Sequence, residues 1–221
     1  QAQLFSLHPT NFVHFANLDI GGAPATSVQP AIAFGHTDAG FFMNSLDPLG
    51  TSDNRIGVWA LTHREAVEKG GFPTLSSLVL TSETYSIPPP AIQKGNAATL
   101  DSGDDRLQQV QFINDSLWGA LGTSVTVPHD ITARAGIAWF QVTPHVRDQL
   151  ISGAEIVNQG YLASAGKYLL YPAIQAGWDK SAVIVFTLSG AKNFPSAAYA
   201  VMPEGSRSFK DIRIAAAGTG F

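Results

Sequence analysis

The strongest constraint on this chain is that it repeats itself. Val28–Phe34, Leu107–Ile113 and Leu170–Ala176 read alike, and aligning Ala31, Val110 and Ala173 gives steps of 79 and 63 residues. A second set of segments, Arg55-Ile56-Gly57-Val58-Trp59, Arg134-Ala135-Gly136-Ile137-Ala138-Trp139 and Ser196-Ala197-Ala198-Tyr199, keeps steps of 79 and 62. Two unrelated motifs that hold the same unequal steps define a unit repeated three times. Such a unit fixes the architecture before any local propensity does, because one copy cannot bury its apolar faces by itself.

Each unit divides into four short strands. In the third they are read at Tyr168–Ala176, Ser181–Leu188, Ala197–Met202 and Asp211–Ala216; in the second at Leu107–Ile113, Leu117–Leu121, Gly136–Val142 and near Glu155–Val157. The first unit has them at Val28–Phe34, Phe41–Met43, Ile56–Leu61 and Leu75–Leu80. β-Branched and aromatic residues punctuated by Gly, Asn and Asp favour strand over helix. One helix is expected, opened by a capping-box pattern at Thr62-His63-Arg64-Glu65 and ended by Gly70-Gly71. Runs such as Ala182–Phe186 are apolar at every position, the mark of strands buried on both faces. Ile32, Val58, Val110, Ile137, Ile174, Val183 and Val185 are therefore expected in the core. Sheets sandwiched between neighbours occur in a β-propeller. The expected fold is all-β: a β-propeller of three four-stranded antiparallel blades at residues 21–82, 83–158 (with a long preceding loop) and 159–221. Residues 1–20 form an N-terminal segment whose Phe12–Ile20 reads as an outer, clasp-like strand without a partner of its own. Three blades make only part of a ring, to be completed by missing chain or by oligomerisation.

Composition narrows the partners. Thirteen basic and seventeen acidic residues give a net charge of −4, which disfavours nucleic acid and anionic membrane. No stretch reaches about 18 uninterrupted apolar residues, so no transmembrane helix is expected. Hydrophobic residues make up 45% and charged residues only 14%. With no Cys, disulfides and thiolate chemistry are excluded together. This balance fits a secreted, extracellular bacterial protein, with a cytosolic one the alternative, and the Met-less start at Gln1-Ala2-Gln3 fits either signal removal or a proteolytic fragment.

Gly103-Asp104-Asp105-Arg106, Ala135–Phe140 and Tyr171-Pro172-Ala173-Ile174 resemble a family of large uncharacterised bacterial secreted proteins with a sialidase-like propeller. The resemblance covers roughly residues 13–221 and implies a fold, with no activity attached. The sialidase Asp-box, Ser-x-Asp-x-Gly-x-Thr-Trp, is absent; Thr51–Trp59 holds similar ingredients at another spacing.

In a propeller the connections between successive blades, and those between second and third strands, emerge on one face. Here they are long, with about 26 residues between Leu80 and Leu107, and decorated loops on a rigid scaffold are where binding residues concentrate. That face holds Asp53, Arg55, Asp104, Asp105, Arg106, His129, Asp130, Arg134 and Lys192. The ligand-binding candidates are Arg55, Arg134, Asp53, Asp104, Asp105 and Arg106. Arg55 and Arg134 begin equivalent strands; as forked donors they suit an anionic or sugar ligand, while the plainer reading pairs each with its neighbouring Asp53 or Asp130 to tie a loop. Asp101, Asp104 and Asp105 have the chemistry for Ca²⁺, against a solvated acidic turn whose spacing misses the EF-hand loop. The histidines show no metal-ligand spacing, and neither a Gly-x-Ser-x-Gly elbow nor a Walker loop occurs. Trp59, Trp139 and Tyr199 share one motif position and suit a core wedge or a sugar platform. The function expected is a binding or scaffold module that recognises a protein or glycan, the alternative being a glycan-acting hydrolase or lyase on the same face.

Overall fold

A computed structural model describes residues 12–46, 50–128 and 130–220. The chain is all-β, with 60% strand and 3% helix. Three sequential meanders are present: β3 to β6 (Gln29–Ala33, Gly40–Ser45, Asp53–Thr62, Thr74–Tyr85), β9 to β12 (Leu107–Ile113, Ser116–Val125, Arg134–Arg147, Leu150–Leu162) and β13 to β16 (Lys167–Ala176, Ala182–Gly190, Asn193–Met202, Arg213–Ala216); the expected unit boundaries at 82/83 and 158/159 fall within β6 and β12. Within each, every strand pairs antiparallel with the next.

The expected separation into three four-stranded sheets is not what strand pairing gives. β3 and β9 run parallel, with Ala31 opposite Val110 and Ala33 opposite Phe112, and the Phe34 N–H donates to the Phe112 carbonyl at 2.9 Å. The first two meanders thus form one eight-stranded sheet, ordered β12-β11-β10-β9-β3-β4-β5-β6. Its far edges also approach one another: the Ile151 N–H donates to Ser76 Oγ and the Glu83 N–H to Gln159 Oε1, each at 2.9 Å. The result is a nearly closed, barrel-like sheet filled by Met43, Ile56, Val58, Val110, Leu117, Leu121 and Phe140. The physical reason is the free edge that each unit's first strand presents, which parallel bonds between repeat-equivalent residues satisfy.

The third meander remains a separate four-stranded sheet. One of its faces (Ile174, Ile184, Phe186, Leu188, Ala198, Ala200) covers Trp118, Ile137 and Trp139 on the outside of the second. Gln111 joins the two from full burial: its Nε2 donates to the Ala176 carbonyl at 2.9 Å, and its Oε1 accepts the Ala176 N–H at 2.7 Å. A hairpin, β7 (Ala91–Gln93) and β8 (Asn96–Leu100), lies in the long link read as loop, turning at Gly95 with φ of 74°. It braces the third sheet through Ser189 Oγ, which donates to the Ile92 carbonyl at 2.8 Å.

The short helix is a 3-10 helix, Arg64–Lys69, ended by Gly70 at φ of 73°. Its N-cap is His63, without a side-chain cap; Thr62 instead closes β5, and its hydroxyl donates to the Gln149 carbonyl at 2.6 Å. The clasp-like strand is also absent from most of Phe12–Ile20. Asn17, at φ of 52°, breaks the extended run, and only β1 (Asp19–Ile20) pairs, with β2 (Ala23–Pro24). This segment lies over the outer face of the first sheet, where Leu18, Ile20, Ala25 and Val28 pack on Phe42 and Trp59. Trp59 and Trp139 are both buried, in two different layers.

Four of the seven expected core positions, Val58, Val110, Ile137 and Ile174, are buried. Ile32 and Val185 are 53% and 48% exposed, and Val183 is half-buried. They alternate onto faces that no further layer covers.

Candidate functional site

The sequence candidates separate into three groups. Asp53 and Arg55, at the start of β5, form a bidentate pair: Arg55 Nε donates to Asp53 Oδ1 at 2.9 Å and Nη2 to Oδ2 at 2.7 Å. Burial pushes the Asp53 carboxyl up, but the Arg55 and Asn54 hydrogen bonds outweigh it and hold the group below the usual carboxylate range. Tyr85, opposite Asp53 in the ladder, donates its hydroxyl to the Arg55 carbonyl at 2.6 Å and accepts the Leu46 N–H at 3.1 Å. Burial pushes that hydroxyl up, and the charges of Asp53 and Asp105 add to the shift. Asp105 is fully buried nearby. Asp53 and Arg55 therefore pair beside the Tyr85 hydroxyl, with the Arg55 side chain partly exposed.

The second group is the acidic turn. Asp101 Oδ1 accepts the Gly103 N–H at 2.9 Å, and Asp104 pairs with Arg106 at 3.2 Å. The turn lies against Tyr171: a Cβ at Gly103, where φ is 71°, would stand 3.0 Å from that ring. Burial, then Asp101 and Asp104, raise the Tyr171 hydroxyl. Among the described residues no three His, Cys, Asp or Glu are placed to hold a metal ion.

Arg134 forms the third. Its Nε donates to Asp130 Oδ2 at 2.8 Å and its Nη2 to Oδ1 at 3.2 Å. Asp130 also accepts the Thr132 and Gly166 N–H groups, and the Arg134 bond foremost holds its carboxyl below the usual range. The Arg134 guanidinium sits over the Tyr168 ring, 4.9 Å from its centre. Each arginine is thus held by its own aspartate, one within the first sheet and one against the third. His129 lies outside the described residues.

The grooves lie elsewhere. One of about 670 Å³ runs over the outer face of the third sheet, lined by Tyr171, Val183, Val185, Thr187, Tyr199 and Ala215. A second, about 400 Å³, continues from Val183 and Val201 to Trp178 and Phe34. Trp178 is 65% exposed. A polar groove of about 730 Å³ at the turn end of the first two sheets is lined by His36, Asp38, Asp115, His145 and Asp148 over Phe41 and Phe112. A small apolar cavity of about 240 Å³ lies under Val13, Phe15 and Leu18 on the first sheet. Sequence reasoning placed Val183 and Val185 in the core. The available signal was their alternation with Ile184 and Phe186, which gives the strand a second apolar face without naming its cover.

In comparisons with known proteins, no family model, no curated protein and no solved structure matches the chain. No helix among the described residues is long and apolar enough to cross a membrane.

Proposed function

We propose that the protein is a binding or scaffold module that recognises a protein partner through the outer face of its third sheet, within a partial β-propeller. The propeller reading is supported by the three meanders stacked face to face. It is supported too by their first strands, which lie together, β3 parallel to β9 and β9 tied to β13 through Gln111. The observation that carries the function is the uncovered apolar face itself, with Tyr171, Val185 and Val201 between 39% and 48% exposed. Contiguous apolar surface of this kind marks interaction sites. A glycan-acting enzyme would instead gather carboxylates in an open pocket; here Asp53, Asp104 and Asp130 each pair with an arginine. The Cys-free, sparsely charged chain fits a secreted bacterial protein of the sialidase-like propeller type.

The test is the apolar dye 8-anilinonaphthalene-1-sulfonate added to folded protein. Expected is a fluorescence rise that Val185→Lys abolishes, with no reducing ends released from a polysaccharide panel. Unchanged dye binding in Val185→Lys, or sugar release, overturns the proposal.

A further inference from the structure

We infer that the partner on this face is a second copy of the same chain, whose third sheet stacks on the first across a two-fold axis. The inference rests on the binding reading above and names its occupant. Outward positions of β13 to β15 are Tyr171, Ala173 and Gln175, then Val183, Val185 and Thr187, then Ala197, Tyr199 and Val201. None of these nine is charged; charge is confined to the two rims, Arg213 in register with Tyr199 on the edge strand β16 and the Asp101–Asp104 turn beside Tyr171, so the centre of the face offers no charge to an acidic, basic or nucleic-acid partner. The molecule already shows how it covers a face of this kind: the second sheet's Trp118, Ile137 and Trp139 are sealed by another four-stranded sheet of the same repeat.

A two-fold arrangement follows from what is free. Head-to-tail stacking would need the first sheet's outer face, where Phe42 and Trp59 are overlaid by Leu18, Ile20 and Val28. Third sheet against third sheet displaces nothing, and such a self-complementary contact closes at two copies. Strands of ten, nine, ten and four residues, about 4.8 Å apart and rising about 3.3 Å per residue, present roughly 500 Å² a side, or about 1,000 Å² in all. That reaches the lower bound for a specific interface, so the dimer dissociates on dilution.

Sedimentation velocity on wild type, Val185→Lys and Val201→Lys tests this between about 1 and 100 μM, the range that brackets weak interfaces. The wild-type mass is expected to rise from the monomer's 23.4 kDa towards twice that value. Both variants should stay monomeric with unchanged circular dichroism, since Val185 and Val201 are exposed. Because the wild-type series needs no substitution, a poorly folding variant leaves the test intact. A wild type monomeric throughout overturns the inference; if it still binds the dye through Val185, the binding reading survives, and if it does not, both fail. Dimerisation of both folded lysine variants at wild-type strength overturns the choice of face.

Discussion

Gln111→Leu is expected to loosen the third sheet from the second. Its carboxamide makes both bonds that a neighbouring strand would make to Ala176, at 2.9 and 2.7 Å, and both residues are buried. Leucine fills a similar volume but leaves the Ala176 N–H and C=O unsatisfied, at about 1–3 kcal/mol each. Burial of its methyl groups offsets part of that, leaving a net loss of about 2–4 kcal/mol. With a urea m-value of about 2–3 kcal/mol/M, the unfolding midpoint should fall by about 0.7–2 M. Hydrogen exchange at the Ala176 amide, the group that Oε1 protects, should accelerate first. Gln111→Glu supplies the control. Its carboxylate would face the Ala176 carbonyl without a donor, so burial raises its pKa above the unfolded value of about 4.3. The folded variant then binds its proton more readily than the unfolded chain, and stability lost at pH 8 returns as the pH falls through that raised value. A Gln111→Leu midpoint within about 0.2 M of wild type, well inside the shift calculated from the m-value, would refute the bridging role.

Other substitutions test the layers separately. Phe140→Ala, at a fully buried site whose ring lies 6.5 Å from that of Tyr85, should cost about 3–5 kcal/mol in urea unfolding, whereas Ile32→Ala, at a 53% exposed site, should cost under about 1; equal losses would show that β3 is inverted. Gly57→Ala should destabilise by about 1–3 kcal/mol, because its Cβ would run into the Asn44 carboxamide and stand 2.7 Å from Ile20 Cδ1; a neutral thermal shift would contradict that crowding. The carboxyls of Asp53 and Asp130 are held below their ordinary value. Their pairs therefore contribute stability that is fully present above about pH 4 and lost as the pH falls towards the folded values. Asp53→Asn/Asp130→Asn should lose less stability than wild type between pH 7 and pH 3, and parallel pH curves would remove these pairs from the explanation.

The strands were legible because their signals are local. Leu107–Ile113 coincides with β9 residue for residue, and the other strands differ mainly in how far they run. What covers a face is not local. Val183 and Val58 are both β-branched residues in apolar runs, yet one faces outward and the other fills the barrel-like sheet. The 79-residue step between Ala31 and Val110 exposed the repeat, and the same residues meet in the parallel pairing that fuses two units into one sheet. Similarity cannot by itself say whether equivalent strands hydrogen-bond or merely repeat. At the candidate site, Asp53–Arg55 and Asp130–Arg134 were readable as loop ties from their short spacing. The Tyr85 contacts were not, because Leu46 and Arg55 meet its hydroxyl from 39 and 30 residues away.

Sparse charge is what a stack of sheets requires. The first three strands of the second meander are buried on both sides, towards the first meander through Val110, Leu117 and Phe140 and towards the third through Trp118 and Trp139. They have little wet face on which to place charge. The end of β6 meets water with polar groups, Thr81, Glu83 and Thr84, although Ile32, Val79, Leu150 and Val157 are exposed apolar positions on the same eight-stranded sheet. An antiparallel sheet with one wet face alternates in this way. The third sheet does not: its outward Val183, Val185 and Val201 match the covered positions of the second sheet in kind. Water alone would leave that face at a cost of roughly 25 cal/mol per Å² of its apolar part, before the entropy of association is counted. A partner layer removes the cost, whereas the arginines at the strand ends have their carboxylates already, and so the uncovered face carries the proposal.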